Sequence, residues 1–190
     1  MNNRFSSHNL HWDSPEIFFD QDPHLRRLKD IAYVHRSELL NKLPMQQPGI
    51  YTLSGARQVG KSTLMKQWMA DLLYQDISPD RIAYFTGELI DDHHSLVKIF
   101  TETLEDLQYS HIRYFLLDEV TYIHDWDKGI KYLADAGLLE RAVLILSGSD
   151  LAIIREARLR FPGRRGLSDE VDFHLYPLAF RETIQLKNSI

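Results

Sequence analysis

The chain has 190 residues and a mass of 22.3 kDa, which is enough for one α/β domain of ordinary size and too little for two. With 44% hydrophobic and 26% charged residues, no cysteine and no apolar run that could span a bilayer, the composition excludes a disordered chain, a disulfide scaffold and a membrane span. A net charge of −5 excludes a surface that is basic throughout, and without a secretion signal we expect a cytoplasmic protein that has no membrane partner.

The first 21 residues show no sustained period, so we predict that residues 1–21 form an irregular lead-in. Aromatic side chains are expected to pack it, namely Trp12, Phe18 and Phe19. A helix is predicted over residues 22–44, because Asp22 can cap it and Pro23 suits its first position. We expect this helix to pack against the main domain, which occupies residues 45–190.

Beyond residue 45, short apolar runs alternate with longer segments of helical period, which is typical of βαβ units and a parallel sheet. The runs at 114–117 and 142–146 are apolar at every position, as expected for central strands that helices cover on both faces. Five strands are predicted, at 50–53, 81–86, 113–120, 142–147 and, more weakly, 170–178. The apolar stripes between them are assigned to the core of an α/β domain.

The segment GARQVGKS has the spacing of a phosphate-binding loop and lies between the first strand and the next helix. Glycine lets backbone N–H groups approach phosphate oxygens, and the start of a helix directs positive charge at them. Lys61 adds a point charge, the Ser62 hydroxyl a ligand for Mg²⁺, and Thr63 a further phosphate contact. The predicted nucleotide-binding residues are Gly55, Ala56, Arg57, Gln58, Val59, Gly60, Lys61, Ser62 and Thr63.

Two carboxylates, Asp118 and Glu119, end the apolar run FLLDE. A strand that is buried on both faces should not carry charge in its interior, so we place both at the ligand-binding edge of the sheet. Asp118 is predicted to hold Mg²⁺ through water. Glu119 is predicted to act as the general base on the attacking water, so the pair favours nucleotide hydrolysis.

The next predicted strand ends in Ser147, Gly148 and Ser149. A hydroxyl at a neighbouring strand tip suits contact with a γ-phosphate and the orientation of a water molecule. The same residues also form an ordinary turn into a helix, with Ser149 as its cap. Both interpretations of Ser147 stay open.

The segment 155–166 is rich in arginine, and three interpretations of it stay open. It is a solvated basic face, a source of an arginine for a nucleotide in the same or a neighbouring subunit, or a contact for nucleic acid. Arg164 is the candidate for the second role, because a loop arginine can reach a transition-state charge. The arginines of this segment are Arg155, Arg158, Arg160, Arg164 and Arg165.

Four segments together resemble the predicted ATPases of archaea and bacteria in the AAA superfamily that carry a C-terminal domain of unknown function. They are GARQVGKSTL, FLLDEV with DWDKGIKYLADAG, LILSGSD, and GRRG with DFHLYPLAFRE, and they span about residues 45–183. The resemblance implies a three-layer P-loop NTPase core of the ASCE type, with five parallel strands in the order 5-1-4-3-2. It also implies ATP and Mg²⁺ as ligands, with metal ligation at Asp118, water activation at Glu119 and a sensor at Ser147.

Members of this family continue beyond the matching segments into a winged-helix-like region and then the extra domain. The resemblance therefore implies that this chain carries the ATPase part without the lid and the C-terminal domain. Two functions of different class stay open: Mg²⁺-dependent ATP hydrolysis for an unknown client, and a nucleotide-dependent switch that binds protein or DNA with little turnover. Phosphoryl transfer to a small acceptor is a third, and self-association is open.

Overall fold

The computed structural model of the protein describes residues 3–29, 36–105, 111–149 and 170–177, together with residues 157, 159–161, 165 and 168. Five parallel strands form one sheet in the order β2-β3-β4-β1-β5. The strands are β1 Gly49–Ser54, β2 Ile82–Thr86, β3 Arg113–Asp118, β4 Ala142–Gly148 and β5 Asp172–His174. Read from the other edge the order is 5-1-4-3-2, so the predicted topology is confirmed.

Helices cover both faces of the sheet. As a result, the central strands β1, β3 and β4 are buried at every residue. The helices are α1 Phe18–Gln21, α2 Pro23–Lys29, α3 Lys61–Tyr74, α4 His93–Glu105 and α5 Trp126–Asp135. One core lies between the sheet and α3, where Trp68 and Tyr114 pack edge to face. The other lies against α4 and α5, where Phe100 packs on Phe85. No helix among the described residues has the length and apolar character to cross a bilayer.

The N-terminal region differs from the prediction in two ways. Residues 3–17 form three short 3₁₀ turns and not an irregular lead-in, and Phe5 is fully buried against the sheet. The predicted helix over 22–44 is not continuous, since a 3₁₀ turn occupies Glu38–Asn41. Ser37 precedes this turn with extended backbone and accepts a hydrogen bond from its second residue, which favours a new start over continuation. Residues 30–35 lie outside the described part.

Side chains of the N-terminal region close the open edge of β2. The Asn9 amide pairs with both backbone groups of Tyr84, donating to its carbonyl at 2.8 Å and accepting from its N–H at 2.7 Å. Trp12 Nε1 donates to the Ile82 carbonyl at 2.8 Å, and His11 Nε2 lies 2.9 Å from the same oxygen. These contacts satisfy backbone groups that an edge strand would otherwise expose, which protects the sheet from pairing with another chain.

His11 makes the stability of the fold depend on pH. Burial lowers the pKa of this fully buried histidine from 6.5 to about 4. The unfolded chain therefore takes up a proton below pH 6.5 and the folded chain only below about pH 4, so the free energy of unfolding falls as the pH decreases through this window. We expect His11 to account for a loss of about 3 kcal/mol between pH 6.5 and 4.

Urea unfolding at several pH values checks this expectation. The free energy of unfolding of His11→Gln should depend less on pH than that of the wild type. The control is His111→Gln, which changes an exposed histidine and should leave the pH dependence unchanged. The same pH dependence in all three proteins would contradict the assignment.

Candidate nucleotide-binding site

The phosphate loop lies between β1 and α3, as predicted. Gln58 and Gly60 have positive φ angles of 61° and 105°, and left-handed residues in such a loop are typical of anion-binding concavities made of backbone N–H groups. Gly55 is required because a Cβ at this position would lie 2.6 Å from the Leu175 carbonyl oxygen. The first N–H groups of α3, which begins at Lys61 directly after the loop, have no acceptor within the helix. This arrangement suits an anion.

Lys61 folds over the loop that it follows. Its Nζ donates to the carbonyl oxygens of Gly55 and Ala56 at 3.1 and 3.2 Å, and its side chain is 3% exposed. The same Nζ lies 3.6 Å from Oε1 of Glu119, the residue that directly follows β3. The structure thus brings together the predicted phosphate-binding lysine and the predicted general base, 58 positions apart in the sequence.

Glu119 occupies a strained turn directly after Asp118. Its φ and ψ of 49° and 48° are left-handed, which is uncommon for a residue other than glycine and is typical of functional positions. Gly87 makes room for this turn, because a Cβ there would clash with the Glu119 carbonyl oxygen. Glu119 Oε2 is buried and has no hydrogen-bond partner among the described residues. One oxygen therefore faces Lys61 and the other remains available to a ligand or water.

Ser147 lies behind these acids and is fully buried. Its hydroxyl donates to Asp118 Oδ1 and accepts from the Glu119 backbone N–H, the latter at 3.1 Å. These contacts fix the turn that presents Asp118 and Glu119. Direct contact between Ser147 and a γ-phosphate stays a prediction.

Asp118, which is predicted to hold Mg²⁺, contacts the hydroxyl of Tyr84 on β2. This hydroxyl donates to Asp118 Oδ2 at 2.5 Å. Burial, then the charge and hydrogen bond of Asp118, raise the pKa of Tyr84, and hydrogen bonding by Ser62 opposes that rise. The predicted ligands are the Ser62 hydroxyl in the first turn of α3 and the Asp118 carboxylate at the end of β3. A hydroxyl and a carboxylate are oxygen donors of the kind that Mg²⁺ prefers, so the residues fit this metal.

The arginine-rich segment is described only in part. Arg160 Nε lies 3.2 Å from Asp127 Oδ2 on α5, and Arg165 pairs with Asp172 at β5 and donates to the Val171 carbonyl. Arg165 is 11% exposed and is bonded to β5, so its guanidinium does not contribute to an exposed basic surface. Arg155, Arg158 and Arg164 lie outside the described residues, and the arginine-finger role of Arg164 stays a prediction.

Sequence reasoning missed four contributors to this site. Tyr84 and Gly87 support Asp118 and Glu119, while a buried ion pair joins Lys66 of α3 to Asp22, with 3.2 Å between Nζ and Oδ2. The available signal was Lys66, a charged residue among apolar neighbours in a helix packed on the sheet. Its partner could not be inferred, because it lies 44 positions upstream.

Two curated proteins without an assigned function are similar in sequence. One, from Haemophilus influenzae, is 27% identical over 145 residues, covering 73% of this chain and 34% of that protein. The other, from Methanocaldococcus jannaschii, is 29% identical over 142 residues, covering 73% of this chain and 28% of that protein. The chain thus spans about a third of the length of these relatives.

Solved structures with a similar fold include a Cdc6 protein from Pyrobaculum aerophilum, with a TM-score of 0.54, 16% identity, and coverage of 93% of this chain and 52% of that one. The ORC1 protein of Aeropyrum pernix, solved in complex with DNA, gives a TM-score of 0.54 at 14% identity and covers 94% of this chain and 52% of that one. At these identities the similarity establishes the fold only.

Residues 47–184 match the model of a family described as an AAA domain. This match covers well over half of the chain and includes the phosphate loop, both acids at the end of β3 and all five strands. The chain therefore belongs to the AAA domain family and carries an ATPase-type nucleotide-binding core.

Proposed function

We propose that this chain binds Mg-ATP at residues 55–63 and hydrolyses it, with Glu119 as the general base. The observation that carries the proposal is the position of Glu119, whose Oε1 lies 3.6 Å from Lys61 Nζ while the buried Oε2 has no partner in the described part of the chain. A carboxylate beside the phosphate-binding lysine can accept a proton from water next to a terminal phosphate.

Each residue of the site has a role in this proposal. Lys61 and the backbone N–H groups of the loop bind the phosphates and stabilise the negative charge that develops on them. Ser62 and Asp118 would hold Mg²⁺, which neutralises phosphate charge when it is bound. Ser147 and the left-handed turn hold Glu119 in place through its N–H. In this proposal the reacting phosphate lies between these groups, which the fold holds in place before the nucleotide binds.

The competing function is a switch in which ATP binding orders a surface for a protein or DNA partner and turnover is negligible. The ORC1 structure with DNA has a similar fold, but the two described arginines of the 155–165 segment are paired with acids of this chain. We therefore favour hydrolysis. A client bound through the remaining arginines, and self-association that brings Arg164 to a neighbouring nucleotide, are secondary proposals.

Two measurements on the wild type and Lys61→Ala test the proposed function. A fluorescent ATP analogue should bind the wild type, and Lys61→Ala should weaken its affinity roughly 10- to 100-fold, because a charged contact to phosphate is lost. Steady-state phosphate release by the wild type should clearly exceed that of Lys61→Ala. The control Lys98→Ala removes a lysine that is 76% exposed on α4 and should change neither quantity.

The outcomes separate the two functions. Wild-type binding of the analogue with phosphate release no faster than that of Lys61→Ala would contradict hydrolysis and support the switch. Failure of the wild type to bind the analogue would contradict both.

A further inference from the structure

Tyr84 is the only tyrosine of the described residues whose hydroxyl contacts Asp118, and its ring is held from several sides. Lys66 Nζ lies 3.9 Å from the ring centroid, and the His8 ring stacks on it at 6.1 Å with an interplanar angle of 8°. Asn9 binds both backbone groups of Tyr84. A side chain fixed in this way places its hydroxyl with little freedom, which is the condition for positioning another group.

The hydrogen bonds to the Asp118 carboxylate show how the Tyr84 hydroxyl can orient it. A carboxylate has about four acceptor positions, two on each oxygen. Ser147 and the Glu119 N–H both donate to Oδ1, and Tyr84 donates to Oδ2. Oδ2 therefore keeps one acceptor position, on the side of the carboxylate that Tyr84 leaves open. Tyr84 decides the direction in which Asp118 accepts its last hydrogen bond.

We propose that Tyr84 is a positioning residue for magnesium: its hydroxyl donates to Asp118 Oδ2 and so orients the carboxylate that is proposed to hold the ion. This inference rests on the proposed function, because the ion is expected to arrive with ATP. It assigns the N-terminal region a part in the site, since His8 and Asn9 help Lys66 of α3 to fix the tyrosine. Outer residues of this kind typically change metal affinity 10- to 100-fold when they are lost.

The test measures binding of a fluorescent ATP analogue in EDTA and in saturating Mg²⁺, and takes the ratio of the two affinities as the magnesium gain. Tyr84→Phe removes only the hydroxyl and keeps the ring that Lys66 and His8 contact, so it is expected to fold. Its magnesium gain should be about tenfold smaller than that of the wild type, with unchanged affinity in EDTA. The matched control is Tyr114→Phe, which loses a buried hydroxyl that donates to the Met45 carbonyl at 2.7 Å, and it should keep the wild-type gain.

A double-mutant cycle with Asp118→Asn separates positioning from general destabilisation. If Tyr84 acts through Asp118, adding Tyr84→Phe to Asp118→Asn should reduce the magnesium gain by less than Tyr84→Phe reduces it in the wild type. Fully additive losses, or a wild-type magnesium gain in Tyr84→Phe, would overturn the positioning role while nucleotide binding stands. No analogue binding by the wild type would instead overturn the proposed function, and this inference with it.

Discussion

Glu119→Gln should lower steady-state phosphate release by about 100-fold or more while ATP still binds. Glutamine has the same size but cannot accept a proton from water at neutral pH, so the change removes the chemistry and keeps the shape. The backbone N–H of residue 119 would still donate to Ser147 and Asp118, which preserves the turn. Lys61, now without a carboxylate at 3.6 Å, should bind phosphate at least as well as before.

The matched control is Glu88→Gln, because Glu88 is an exposed acid that follows β2 at the same edge of the sheet. Phosphate release and analogue binding should both stay at the wild-type level in this variant. Equal rates for the wild type and Glu119→Gln would show that Glu119 is not the general base, whatever the affinity for ATP.

Asp22→Ala should reduce the free energy of unfolding by about 3 to 5 kcal/mol. Asp22 and Lys66 are each 1% exposed, so the change leaves a buried ammonium without its carboxylate. Burial lowers the pKa of Lys66 and Asp22 counteracts this, which means that the lysine depends on Asp22 to remain charged. Asp22 Oδ1 also accepts the N–H groups of His24 and Leu25, so the predicted cap of α2 is confirmed and would be lost as well.

Urea unfolding followed by tryptophan fluorescence measures this loss. Asp20→Ala is the control, because Asp20 is 61% exposed and pairs with Lys29 at the surface, where an ion pair contributes at most about 1 kcal/mol. The double change Asp22→Asn with Lys66→Met should recover part of the stability, since no unpaired charge remains. A loss below about 1 kcal/mol in Asp22→Ala would contradict the importance of the buried pair.

The residue pattern was sufficient for the strands and the phosphate loop, and the strand order followed from the resemblance to the AAA ATPases. Each strand is a short run with its own apolar pattern, and the loop is one continuous stretch, Gly55–Ser62, whose function depends mainly on its own backbone. Asp118 and Glu119 could be placed for a similar reason, because charge at the end of a fully apolar strand has to lie at the edge of the sheet. The predicted helix over 22–44 failed because the Ser37 turn competes locally with helix continuation, and propensity alone does not decide that competition.

Only the tertiary structure showed which side chains hold the residues of the site in place. Tyr84 reads as a core residue of β2, and only its approach to Asp118, 34 positions away, gives its hydroxyl a role. Asn9 sits in a segment without a period, and its pairing with the edge of β2 is a contact between side chain and backbone that no pattern encodes. The sequence by itself determined the groups that we propose to bind phosphate and metal, since their chemistry is local. The tertiary structure decided which distant side chains orient them, because hydrogen bonds and buried charges depend on distances that exist only in the folded chain.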